Sequence, residues 1–204
     1  VLLSSCNAGA GADQSPLGAM RMPSNMSAKA PMRVVWSPAV RLLHWTLAIS
    51  MITSFVTHEN VGRVHEWAGY VALAAASVRV LMGFVAGGYW RFSQFVKTPS
   101  ATLAYARAVW RHSEARYLGH NPLGGWMVVF LLTDAFATGL TGWLYTTDRF
   151  WGVEWLEDLH GALGDALLPL LLLHVGGAIF TSWRHRENLV ASMVHGRKPA
   201  PGPT

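Results

Sequence analysis

Four stretches of this chain, 38–57, 64–85, 123–145 and 156–183, are each apolar over about 20 residues, the length an α-helix needs to cross a bilayer. A soluble protein can bury one such helix in its core. Four of them in 204 residues leave too little chain for a polar shell. Composition agrees, with 51% hydrophobic and 13% charged residues, where a soluble domain carries about a quarter charged. Trp36, Trp67, Trp126, Trp143, Trp155 and Trp183 fall near stretch ends, as an interfacial aromatic belt would. Asn121-Pro122 offers a capping side chain followed by proline at the first helical position, a strong opening for the third stretch. The expectation is an all-α membrane protein, a bundle of four transmembrane helices.

Charge orients the bundle. Arg33, Arg91, Lys97, Arg107, Arg111, Arg116, Arg184, Arg186, Arg197 and Lys198 flank one side, while the two short loops opposite hold only Arg63 and Arg149. The positive-inside rule then predicts that both termini and the long loop 86–121 are cytoplasmic. The net charge of +5 thus reports topology, and no nucleic-acid partner is expected. The outer loops are locally acidic, with Glu59, Asp148, Glu154, Glu157 and Asp158. A single cysteine, Cys6, excludes a disulfide framework, a CxxC metal site and covalent haem through CxxCH. Within the long loop, Ser100–His112 sets Leu103, Ala106 and Trp110 on one side and Arg107 and Arg111 on another, which predicts an amphipathic helix on the anionic inner leaflet. Residues 1–31, rich in Gly, Ala and Ser, are expected to be a disordered leader or sequence upstream of a start at Met32. Residues 32–198 form the bundle domain and 199–204 a tail.

Nine histidines are present, and His44, His65, His160 and His174 fall inside the apolar stretches, where an ionisable side chain is costly and marks function by default. His160 and His174 are separated by about four turns, so they share a helix face roughly 21 Å apart. One lies toward each surface of a hydrocarbon core of about 30 Å. Stretches two and four both run inward, with His65 and His160 in their first turns. His44 opens stretch one from the inner side, and His174 stands about 13 Å from the inner end of stretch four. Depth therefore pairs His65 with His160 on the outer side and His44 with His174 on the inner side. Two neutral imidazoles on facing helices, with no thiolate or carboxylate beside them, suit the two axial positions of a b-type haem. Zinc would need three or four ligands converging on one point.

Several neighbours are candidates alongside these pairs. Gly69 and Gly164 each follow a pair member by one turn, where a missing side chain either admits a flat macrocycle or serves tight helix packing. Arg79 shares the face of His65 at the inner end, and Arg41 precedes His44 by nearly a turn. Each either pairs a haem propionate or snorkels to the inner surface. His120 is placed to touch a propionate or quinone headgroup, or to pack the start of the third helix. Asp134, mid-span, reads as a proton-relay group or as a protonated acid bonded to a neighbour.

The motifs Arg41-Leu42-Leu43-His44-Trp45, His65-Glu66-Trp67-Ala68-Gly69-Tyr70, Leu159-His160 with Gly164, and Leu173-His174 closely resemble the prokaryotic cytochrome b561 family, which includes the cytochrome b subunits of nickel–iron hydrogenases. The tail Arg186-Glu187-Asn188-Leu189-Val190 through Gly196-Arg197-Lys198 resembles a branch associated with small c-type cytochromes. The resemblance covers about Arg33 to Lys198. It implies a four-helix carrier in the bacterial inner membrane with two b haems and quinone as substrate, and it matches the same four histidines to the ligand positions. Met51-Ile52-Thr53-Ser54-Phe55 lacks the Thr-Gly pair common in the hydrogenase branch, which points away from a hydrogenase partner.

Three functions follow. The leading one is electron relay between quinone and a periplasmic partner such as a c-type cytochrome or a dehydrogenase, an electron-transfer role rather than a stand-alone oxidoreductase. The second is a superoxide:quinone oxidoreductase, and the third a haem-stabilised membrane anchor for a dehydrogenase or hydrogenase. An acidic outer rim disfavours capture of anionic superoxide and favours a basic-faced protein.

Overall fold

A computed structural model describes residues 31–58, 62–85, 87 and 90–200. The leader, apart from Pro31, and Glu59 lie outside the described residues.

The four apolar stretches are helices: α1 (Pro38–Thr57), α2 (Gly62–Val85), α5 (Pro122–Tyr145) and α6 (Glu154–His185). All four are long and apolar enough to cross a membrane. Their ends are written in local chemistry. Ser37 caps α1, its side chain accepting from the Val40 amide at 3.3 Å, with Pro38 next in line. The expected Asn121-Pro122 opening starts α5, with the Asn121 side chain accepting from the Gly124 amide at 2.7 Å. α6 runs 32 residues through Pro169 and stops where Arg186 turns left-handed (φ 53°). At about 48 Å it outreaches the hydrocarbon core.

Helices α1 and α2 pack along each other, α2 packs along α5, and α5 along α6. α2 enters this arrangement through a stripe of small residues, Ala68, Ala72, Ala75 and Ala76, which lets backbones come close. The outward faces are apolar, as at Leu81, Val85, Leu172 and Leu173, consistent with lipid as their solvent. Between α6 and the α1–α2 pair the backbone packing is sparse, and histidine side chains face each other across the gap.

Two short helices, α3 (Phe92–Phe95) and α4 (Pro99–Trp110), fill the link from α2 to α5. Thr98 caps α4 by accepting from the Ala101 amide at 3.3 Å. The helix stops short of Arg111 and His112, which the sequence pattern had included. Its Leu103 and Trp110 are 52% and 88% exposed, while Tyr105 is its buried residue.

Hydrophobic patterning did not anticipate the closure at the basic end. Strand β1 (Met32–Val34) pairs antiparallel with β2 (Arg197–Pro199), Arg33 opposite Lys198, after a short helix α7 (Leu189–His195). The two described chain ends therefore meet in one ribbon. Gly196, at φ +80°, makes the turn between α7 and β2 and accepts at its carbonyl from the Val35 and Trp36 amides at 2.9 and 3.1 Å. A Cβ at Gly196 would stand 2.7 Å from the Trp36 carbonyl oxygen, so both conformation and space demand glycine. Glu187 binds Arg116 and has Lys198 3.9 Å away, and Glu114 takes Arg184 through two oxygens at 2.7 and 3.3 Å.

Candidate functional site: two facing histidine pairs

The rings of His65 on α2 and His160 on α6 face each other with centroids 6.0 Å apart and planes at 85°. Those of His44 on α1 and His174 on α6 are 6.2 Å apart at 50°. α6 thus contributes one member to each pair, and its two histidines look across the gap toward α2 and α1.

The first pair is held by its outer nitrogens. His65 Nδ1 donates to the Ser54 carbonyl at 2.8 Å. His160 Nδ1 lies 3.0 Å from the Thr138 carbonyl and 3.2 Å from Thr141 Oγ1. A carbonyl can only accept, so each Nδ1 carries the proton, and in a neutral ring Nε2 is left with a lone pair. Metal-ligating histidines are oriented in this way. Thr138 and Thr141 lie one turn apart on α5, and the bare backbone of Gly142 sits beside the His160 ring.

The second pair borders a cavity at the basic end. Trp36, Arg79 and His120 line it together with His44, His174 and apolar residues of α1, α5 and α6. The His120 ring lies between Trp36 and Phe95, with centroids 4.9 and 4.8 Å away. Burial, with the Arg79 and Lys198 charges nearby, pushes the His120 pKa down to about 3, so its ring is neutral at physiological pH.

The remaining candidates separate. Arg79 is buried, lines the cavity and stacks over the Phe92 ring at 5.6 Å. Arg41 turns the other way: its Nη1 donates to the Val194 carbonyl near the end of α7, tying α1 to that helix. A Cβ on Gly69 or Gly164 would meet open space, so neither glycine is required by helix contact. Asp134 is buried on α5 with Oδ2 unpartnered. Trp36, Thr138, Thr141 and Gly142 were missed as site residues, because nothing in the local pattern says which histidine they face.

Four apolar helices carrying two facing histidine pairs define a multi-span membrane protein of the b-cytochrome class. Residues 35–196 match the family model described as prokaryotic cytochrome b561, and the chain belongs to that family. It is a membrane b-type cytochrome of electron transport. It is similar to the "Probable Ni/Fe-hydrogenase B-type cytochrome subunit" of Azotobacter vinelandii and to the protein of the same description from Azotobacter chroococcum mcd 1. Each is 25% identical, across 79% of this chain and 86% of the relative. No solved structure matches the chain significantly.

The residues fit the haem b that the family implies. With a metal–imidazole bond of about 2 Å and a ring centre about 1 Å behind its nitrogen, two imidazoles sharing one metal ion stand about 6 Å apart. Both pairs meet that spacing.

Proposed function

We propose that this protein relays electrons across the bacterial inner membrane through two haem b groups, one between His65 and His160 and the other between His44 and His174. Haem b supplies the one-electron couple; the chain sets spacing, ligand orientation and burial. The observation that carries this reading is the pair of ring separations, 6.0 and 6.2 Å, on one shared helix. Gly69 and Gly164 leave clearance for a macrocycle, and Arg79 supplies positive charge at the basic end. Arg41 serves this site by fixing α1 against α7.

The basic end faces the cytoplasm, with both termini there and α4 lying on the inner leaflet through Leu103 and Trp110. This orientation puts His65 and His160 on the periplasmic side, near Asp148, Glu154, Glu157 and Asp158. Quinone is the membrane partner, and a basic-faced c-type cytochrome is the periplasmic one. A second reading is favoured by the two Azotobacter relatives, whose description names a hydrogenase subunit: a hydrogenase would then dock at the same acidic end.

Two measurements test this. Pyridine haemochrome and reduced-minus-oxidised spectra should give two b haems per chain. His44→Ala and His174→Ala should remove one component, and His65→Ala and His160→Ala the other. If His44→Ala and His65→Ala remove the same component, the pairing is wrong. Electron exchange with a small basic c-type cytochrome should slow steeply as salt rises; salt-independent rates would leave the hydrogenase reading in its place.

A further inference from the structure

Three side chains lining the cavity beside His44 and His174 each carry a buried polar atom without a hydrogen-bond partner: Trp36 Nε1, Arg79 Nη1 and His120 Nδ1. They come from the link between β1 and α1, the C-terminal third of α2 and the approach to α5. A buried polar group left unpaired is costly, and native structures keep few of them, so three around one cavity call for a common explanation.

Their chemistry is one-sided. The indole and guanidinium nitrogens only donate, and a neutral imidazole donates from one of its two nitrogens. Arg79 also brings a full charge. Its described contact is the Phe92 ring at 5.6 Å. Glu187, in the link between α6 and α7, is taken up by Arg116 and Lys198. What this set lacks is an oxygen acceptor bearing negative charge.

The donors are also held in place by packing. His120 is wedged between Trp36 and Phe95, and Lys198 Nζ lies 6.0 Å from the Trp36 ring centre. The Trp36 backbone is bonded to Gly196. Each ring or guanidinium is therefore fixed by aromatic contact, which leaves its N–H for the cavity. A rigid set of donors around a low-dielectric pocket binds an anion without reorganising.

We propose that Trp36, Arg79 and His120 form a carboxylate cradle that holds a propionate of the haem at His44 and His174, roofed by the β1–β2 ribbon. This rests on the haem reading of that pair. A quinone carbonyl is the other oxygen acceptor that could reach the same donors, and the experiment separates the two.

The test uses purified holoprotein carrying Trp36→Phe, His120→Phe or Arg79→Gln, substitutions that remove a donor or the charge while keeping a ring or a polar chain in place. Redox titration should show the component lost in His44→Ala becoming harder to reduce by about three- to tenfold in equilibrium constant. That is roughly 30–60 mV at 59 mV per tenfold for one electron, and the other component should not move. Redox-difference infrared bands from isotope-labelled propionate carboxyls should shift in the same variants. Potentials and carboxyl bands unchanged in all three variants would overturn the cradle. So would shifts that appear only when a quinone analogue is bound, which would assign the donors to quinone. A wild type with one haem, or His44→Ala and His174→Ala removing different components, would instead overturn the underlying haem pairing.

Discussion

His160 lies against the bare backbone of Gly142: a Cβ there would stand 2.8 Å from His160 Cε1 and 3.3 Å from Nδ1. The same histidine is bonded at Nδ1 to Thr138 and Thr141, on the same stretch of α5. Ring position and ring rotation are therefore both set by one turn of a neighbouring helix.

Gly142→Ala should displace the His160 ring and break its alignment with His65. The expected outcome is a shift or loss of the spectral component that His65→Ala removes, with the His44/His174 component intact. Difference spectra and low-temperature electron paramagnetic resonance would check this; an unchanged g-tensor for every haem signal would refute the packing argument.

The glycine at 196 should be equally intolerant for a different reason. Gly196→Ala forces a side chain into a left-handed residue and against the Trp36 carbonyl. Strain of this kind costs about 1–3 kcal/mol. Thermal unfolding in detergent should fall accordingly, and hydrogen exchange should rise at Val35 and Trp36, whose amides lose their Gly196 acceptor. Exchange unchanged at those two amides would show that the ribbon adapts.

Arg184 beside Glu114 holds that carboxyl down to about 2. A carboxyl whose pKa is lowered by folding adds stability that is complete above its unfolded value of about 4.5 and lost as pH falls through about 2. Amide protection in the segment joining α4 to α5 should therefore decline between these values in the wild type. Glu114→Gln should flatten that decline and lower protection at neutral pH. A decline of equal size in the variant would assign it to other groups.

Much of the fold could be read before any coordinates. Length and apolarity located α1, α2, α5 and α6, because a helix in lipid must satisfy its own backbone and so follows composition closely. The Asn121-Pro122 opening is likewise local, one side chain and one amide three residues on. Helix α4 was legible for the same reason, but its buried residue, Tyr105, was not, since the residue that meets the bundle depends on the partner. Among the candidate site residues, helical spacing put the four histidines at matching depths. Arg41 shows the limit: its sequence position suits a propionate, yet its guanidinium bonds the Val194 carbonyl more than 150 residues away.

What the sequence determined by itself was periodicity, depth and charge: four apolar helices, histidines in two layers and a basic excess at one end. These are properties of single segments, and 1.5 Å of rise per residue converts them into distances. The tertiary structure alone decided which groups meet across segments. It brought the rings to 6.0 and 6.2 Å, turned each Nδ1 of the first pair toward a carbonyl, and gathered Trp36, Arg79 and His120 around one cavity. Those contacts depend on helix rotation and on the β1–β2 closure, which arise from packing between residues far apart in the chain and leave no periodic trace within it.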